Sequence, residues 1–297
     1  MPRHTHRRLK EAFIEKIFLS TALFAIFVTA GILWVLAFET LAFFKEIPFL
    51  SFLTDGQWTP LFSEPHFGIL PLLAGTILTS AIAMAVAAPT GLISAIYLSE
   101  YATERIRHFM KPLLEMLAAV PTIVYGYFAL TWLTPLLQSV LPDLAGFNAL
   151  SPGIVMGMMI MPAVASISED ALHTVPIGLR EGGFALGATR FQVAFQIVLP
   201  SAISGVLASL ILGVSRAVGE TMIVAIAAGL QPRLTFNPLV PIETAAAYIA
   251  QISMGDVPSG TLAYRTLFAV GMALFVFTFA LNGLSFILRK RFREIYE

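Results

Sequence analysis

From Phe67 to Leu98 the chain carries no Asp, Glu, Lys, Arg or His, and a soluble fold has little use for an uncharged run of that length. A helix rises about 1.5 Å per residue, so this run reaches roughly 48 Å, beyond the ~30 Å apolar core of a bilayer. Five further apolar stretches approach or exceed the roughly 20 residues that a spanning helix needs. They lie at Ile17 to Phe38, about Leu113 to Val140, about Leu150 to Ser168, about Val198 to Leu230, and Thr266 to Leu288. Hydrophobic residues make up 57% and charged residues 12% of the 297 positions, a balance foreign to soluble domains. The expected fold is all-α: a polytopic membrane protein with six transmembrane helices. Pro89, Pro121 and Pro162 fall inside these runs, which predicts tilted or kinked spans whose freed carbonyls are satisfied by neighbouring helices.

The formal net charge is zero, so nothing points to nucleic acid. Cysteine is absent, which removes disulfides, thiolate nucleophiles and thiolate metal sites together. The first apolar run follows a basic N-terminus without a small-residue cleavage signature and reads as a retained helix. No internal repeat argues for the inverted halves of a secondary transporter. The expected organisation is an N-terminal segment with the first span and an outer loop (1–66), a transmembrane core (67–288) holding a cytoplasmic loop at about 168–198, and a basic tail (289–297).

Orientation follows from Lys and Arg, which are retained on the cytoplasmic side. Arg3, Arg7, Arg8, Lys10 and Lys16, then Arg105, Arg107 and Lys111, then Arg180 and Arg190, and finally Arg289, Lys290, Arg291 and Arg293 share one side. Lys45, Arg233 and Arg265 lie on the other. Both termini are therefore expected in the cytoplasm. Trp58 and the nearby Phe residues of the outer loop are expected to form an interfacial aromatic belt.

Glu181 to Pro200, EGGFALGATRFQVAFQIVLP, interrupts the apolar runs on the cytoplasmic side. It is either a solvated connection or a docking element. Leu179, Gly183, Leu186 and Gly187 recur at helical spacing, and Phe191, Phe195 and Val198 resume it, which predicts a helix, a turn near Gly187 to Thr189, and a second helix. Pro200 suits the first turn of the following span.

Inside the fifth run stand Arg216 and Glu220. Buried ionisable residues in a membrane are costly and persist where they pair or face a cavity. Their four-residue separation allows a pair on one helix face, either as a structural lock between helices or as a weak anion station in a pathway. Ser201, Gly205, Ser209 and Gly213 repeat every four residues below them, a stripe that admits a close helix or a water-filled path. Further pathway candidates are Ser215, Thr221, Ser168, Thr122 and Tyr125. Ser168, Glu169 and Asp170, with Ser166 a turn before, read as a solvated helix terminus or a cytoplasmic gate.

The string Glu181, Gly182, Gly183, Gly187, Ile197, Leu199 and Pro200 is similar to the EAA loop of ABC importer permeases, with glycines where that family usually has alanines. GILPLLAGT at Gly68, AIYLSEYA at Ala95, KPLLEMLAAVPTIVYGYFAL at Lys111, SISEDAL at Ser166, LREGGFALGATR at Leu179 and SRAVGETMIVA at Ser215 resemble the PstC-type permease of phosphate importers, over about Gly68 to Arg289. The resemblance implies the type I importer permease (MetI-like) fold and a role in carrying inorganic phosphate inward by alternating access. It also implies coupling to an ATPase through Glu181, Gly182, Gly183, Ala185, Leu186, Gly187, Ala188, Thr189 and Arg190. The implied partners are a PstA-like second permease, a PstB-like ATPase dimer and a PstS-like external binding protein, in the inner membrane. No GxxxxGK[ST] loop is present. ATP and Mg are thus expected at the partner ATPase, with no cofactor, metal or catalytic residue on this chain. A permease for molybdate or sulfate, an ion-coupled carrier, and a membrane scaffold are the alternative readings.

Overall fold

The computed structural model describes residues 2–291, so positions 292–297 of the basic tail lie outside the described residues. The chain begins with α1 (Pro2–Phe44), a short α2 (Phe49–Thr54) and α3 (Leu70–Ile96), which a π-helical turn prolongs through Tyr101. Next come α4 (Glu104–Ala118) and α5 (Thr122–Phe128), then a π-helical turn over Ala129–Leu133 leading into α6 (Thr134–Gln138). They are followed by α7 (Leu150–His173), α8 (Ile177–Ala185) and α9 (Arg190–Gln192), with a third π-helical turn over Val193–Val198 leading into α10 (Leu199–Ser201). The chain ends with α11 (Ile203–Val218), α12 (Met222–Ala227), α13 (Ala245–Met254) and α14 (Leu262–Arg291).

Among the described residues, four helices are long and apolar enough to cross a membrane unaided: α1, α3 with its π turn, α7 and α14. The other two of the six spans are bent pairs. Glu104–Ala118 meets Thr122–Gln138 at 83°, and Arg190–Ser201 meets Ile203–Val218 at 74°. The third span, expected as one run from Leu113, is therefore broken between Ala118 and Thr122. Pro121 sits at the bend in an extended conformation, and its ring disfavours α geometry at the preceding Val120. Before the bend, α4 is strongly amphipathic and presents Ile106, Phe109, Leu113 and Met116 outward. The single fifth helix expected from Val198 to Leu230 is likewise divided, because α11 stops at Val218 and α12 begins only at Met222.

The bundle is organised by α3 against α7, the most extensive helix contact in the fold. Glycine makes it possible: a Cβ on Gly153 would meet Ile82 at 2.7 Å, one on Gly157 the Ala83 carbonyl at 2.7 Å, and one on Gly91 Val164 at 2.8 Å. Around this seam Ala83, Ala87, Met156, Met159, Ile160 and Val164 are fully buried with Ile223 and Val224 of α12. By contrast, the membrane-length window of α1 buries nothing within the chain, and α1 packs on α14.

The two ends of α3 mark the two ends of the bundle. At its C-terminal end, Glu100 accepts from Arg180 of α8 at 3.0 Å. At its N-terminal end the loop residues Trp58 and Phe67 are buried with Phe43, Phe52, Leu72 and Tyr248, so the aromatic belt expected there is instead a packed aromatic core. Trp58 meets Tyr248 edge to face at 5.0 Å. Segment 227–245 also docks there. Ile242 donates to Ala228 at 3.1 Å, and Ala245 N–H donates to Thr76 Oγ1 at 3.1 Å.

Gly75 is the contact that admits segment 242–245, since a Cβ there would overlap the Glu243 carbonyl. Gly75→Ala should therefore destabilise the protein by about 1–3 kcal/mol, read as a lower Tm of the purified assembly. Gly182→Ala, with nothing within 4 Å of the new methyl, should leave Tm unchanged or raise it by up to the ~1 kcal/mol difference in helix propensity.

Candidate functional site

The sequence pattern brings Arg216 and Glu220 to one helix face; the structure separates them. Gly219 caps α11, and Glu220 lies in the break. Its Oε1 accepts the backbone N–H groups of Met222 at 3.1 Å and Ile223 at 3.3 Å. These are the orphan donors that open α12, and without water they need a partner from the protein. Glu220 is buried; it acts as a cap and not as a counter-ion.

Arg216 occupies the last turn of α11. It is exposed on the isolated chain, and among the described residues its guanidinium forms no hydrogen bond or ion pair. Its depth follows from the contacts one turn earlier: Gly213 packs on Met84, Val164 and Ile160, near the middles of α3 and α7. Arg216 is therefore a free cation at mid-bundle, on a face this chain leaves open. Its positive charge reaches Tyr125 of α5, whose hydroxyl donates to Leu117 O across the 83° bend at 2.9 Å.

The remaining pathway candidates are dispersed. Ser215 donates to Asn282 of α14 at 3.2 Å, Thr221 adjoins the break and donates to Gly219 O at 3.3 Å, and Thr122 opens α5 beside Pro121. Ser168 is fully buried and shares a 2.6 Å hydrogen bond with Ser209, which places it in a helix contact. The small-residue stripe is packed in the same way. Gly205 lies against Ala171 and Gly213 against α3 and α7, so the stripe seats α11 on its neighbours, while Ser201 and Gly205 also line a cavity of about 280 Å³ with Thr174 and Ser204.

At the other end, Glu169 is 1% exposed, so the solvated terminus expected at Ser168 to Asp170 is a buried ion cluster. Arg107 pairs with Glu169, while Lys111 reaches Glu169 at 2.9 Å and the exposed Asp170 at 2.5 Å. The cluster fastens α4 to the end of α7. Beside it, α8 ends in a turn at Gly187, whose φ of +84° favours glycine. Thr189 and Gln192 then close a reciprocal capping box on α9. Gly183 faces inward on Val193 and Ile197, whereas Leu186 is 91% exposed, so the expected Leu179–Gly187 stripe is not one face. The outward apolar surface is Phe184, Leu186, Phe191 and Phe195, with the last two rings 4.4 Å apart. Glu181, Gly182, Ala185 and Arg190 are exposed beside it, and Ala188 is half-buried.

The family described as the binding-protein-dependent transport system inner membrane component matches residues 87–294. The phosphate transport system permease protein PstC of Pasteurella multocida is 32% identical, over 97% of this chain and 95% of its own. The probable ABC transporter permease protein YqgH of Bacillus subtilis is 34% identical, over 77% of this chain and 74% of its own. The chain belongs to this family, in its PstC-type branch. The fold agrees. A chain of a bacterial alginate ABC transporter aligns with TM-score 0.61 and 15% identity, over 91% of this permease and 94% of that chain. A chain of the MetNI methionine transporter aligns with TM-score 0.54 and 17% identity, over 76% and 95%.

The ion cluster on α4 and the capping role of Glu220 were missed in the sequence, although the alternation of Arg107 and Lys111 at i, i+4 was a usable signal for the first. If capping is the role of Glu220 in this permease, Glu220→Ala should destabilise by about 1–2 kcal/mol, and Glu220→Gln, which keeps the acceptor oxygen, should recover most of the loss in Tm. Equal losses would show that the charge matters and the cap does not.

Proposed function

We propose that this chain is one of two membrane subunits of an ATP-driven importer of inorganic phosphate, and that Arg216 is the cation the anion meets in transit. One observation carries the reading: an exposed, unpaired guanidinium at mid-bundle. Facing lipid it would be costly by several kcal/mol, so the open face belongs against a second permease or a water-filled path between the two. Guanidinium offers phosphate oxygens a planar fork of donors. The relatives named as phosphate transport permeases support phosphate as the cargo. Glu220 holds the break that ends α11 beneath Arg216, and its buried negative charge nearby keeps the station weak enough to release its anion. Tyr125, Ser215, Thr221 and Thr122 lie around the same break and bend; Ser168 supports the packing of α11.

The exposed cluster of Phe184, Leu186, Phe191 and Phe195 is the surface for an ATPase subunit, with Glu181, Gly182, Gly183, Ala185, Gly187, Ala188, Thr189 and Arg190 shaping it. The partners are a PstA-like permease, a PstB-like ATPase dimer that uses ATP and Mg, and a PstS-like binding protein at the far end of the bundle. The basic residues in and beside these segments support a cytoplasmic location for α8, α9 and both termini, in the inner membrane.

Arg216→Gln should lower phosphate uptake in reconstituted vesicles by roughly ten- to hundredfold, the worth of one charge-assisted hydrogen bond, while the assembly still purifies intact. Undiminished uptake overturns the role of Arg216. Leu186→Asp should leave ATP hydrolysis measurable but no longer stimulated by the loaded binding protein; normal stimulation argues against docking at this surface.

A further inference from the structure

Segment 227–254 holds a group that the transport reading does not use. Glu243 is 2% exposed, and its Oε1 has no hydrogen-bond partner. No subunit seated on the surface can reach a side chain buried this deeply within its own chain. The elements around it bring no cation. Neither α3 nor α12 carries a titratable side chain, and α13 offers only Tyr248, whose hydroxyl shares a 2.6 Å hydrogen bond with Thr266 of α14. Arg265 of α14 is taken by Glu46 at 2.6 Å and Glu39 at 3.7 Å, and Arg233 in the same loop is exposed.

A carboxylate cannot stay ionised in such surroundings, because a buried charge without a partner is among the least favourable arrangements a fold can contain. Burial pushes the Glu243 carboxyl up to about 8, so near neutrality it holds its proton. Its place in the fold gives that proton a consequence. The Glu243 backbone sits on Gly75, Thr244 caps α13 by accepting from Ala247 N–H, and Ala245 is hydrogen-bonded to Thr76. The residues that dock segment 242–254 onto α3 are thus consecutive with the buried acid.

We propose that Glu243 is a proton-binding site whose occupancy holds segment 227–254 onto α3, and that losing the proton releases this segment at the end of the bundle away from α8. Charging Glu243 in place leaves a naked carboxylate in a dry seam, and the accessible escape is for the loop to lift and hydrate it. The sign follows from linkage. Since the folded state binds this proton more tightly than the unfolded chain does, the contribution of Glu243 to stability declines as pH rises from the ordinary carboxyl range towards about 8, then levels.

Two measurements on the assembled complex test this without any substrate, so they stand apart from the assignment of phosphate as cargo. Infrared difference spectroscopy of the wild-type complex should show a protonated-carboxyl C=O band at neutral pH that bleaches on titration to about pH 9, where roughly nine-tenths of a group titrating near 8 is ionised. The band should be missing in Glu243→Gln. Trypsin cleavage after the exposed Arg233, taken as the excess over Glu243→Gln at the same pH, should then be roughly tenfold greater in wild type at about pH 9 than at pH 7, following the ionised fraction. Glu243→Gln mimics the protonated form and must assemble normally. Failure of Glu243→Gln to assemble, absence of the band at neutral pH, or equal cleavage at both pH values each overturns the proposal.

Discussion

Inside a bilayer no water is available for an unpaired backbone group, and most of the architecture follows from how this chain meets that rule where its spans break. Glu220 supplies the acceptor for the two N–H groups that α11 and α12 leave unpaired at their junction. Tyr125 reinforces the 83° bend, its hydroxyl donating to the Leu117 carbonyl in the last turn of α4, which also accepts from Val120 N–H. The two repaired breaks adjoin. Gly126 lets α5 approach the α12 backbone so closely that a Cβ would lie 3.1 Å from Ile223 Cα, so the half-helices beyond each break support one another. Arg216 is positioned by this arrangement: it ends a helix that must stop there, beside a neighbour that also turns.

Charges sort by the same logic. Where two half-buried basic residues close over a buried carboxylate, as Arg107 and Lys111 do over Glu169, they fasten an amphipathic helix to the bundle. Removing one partner of such a cluster leaves an uncompensated charge, which makes these contacts sensitive to mutation out of proportion to their net worth. Among the described residues Arg216 has no such partner, and the buried Oε1 of Glu243 has no hydrogen-bond partner. The first is accessible and can be completed by another subunit or an anion. The second is sealed, so a proton is the one neutralising species small enough to reside there.

Much of this was legible in the residues. The six apolar runs locate the spans, and Gly187 locates the turn between α8 and α9, where the backbone takes a φ of +84°. The breaks were not legible in the same way. Gly219, Glu220 and Thr221 sit inside a run whose hydropathy is that of a helix, and periodicity registers side-chain polarity while remaining blind to where the backbone needs an acceptor. Glu220 therefore looked like a counter-ion at i+4 when its role is local. Trp58 and Glu243 escaped for the converse reason. Both lie among Pro, Thr and Gly in segments composed like solvent-exposed loops, and only the tertiary fold, through the cluster around Phe43 and Tyr248 and the seat on Gly75, buries them.

The distance between the α8–α9 turn and Arg216 sets what motion can accomplish. The π turn and α10 meet α11 at the 74° bend near Ala202, with Val198, Ala202 and Val206 buried beside Leu172 and Val175. From that bend α11 runs about 20 Å to Arg216, so a tilt of about ten degrees displaces the guanidinium by roughly 3 Å, the length of one hydrogen bond. A movement that small requires no repacking of the α3–α7 seam, because α11 rides on it through small residues, Gly205 on Ala171 and Ser209 on Ser168. Helices in glycine and serine contact can shear without unlocking bulky side chains. The stripe at Gly205 and Ser209 is thus a close helix contact, which would let α11 tilt on its neighbours if the proposed docking at the α8–α9 surface moves it.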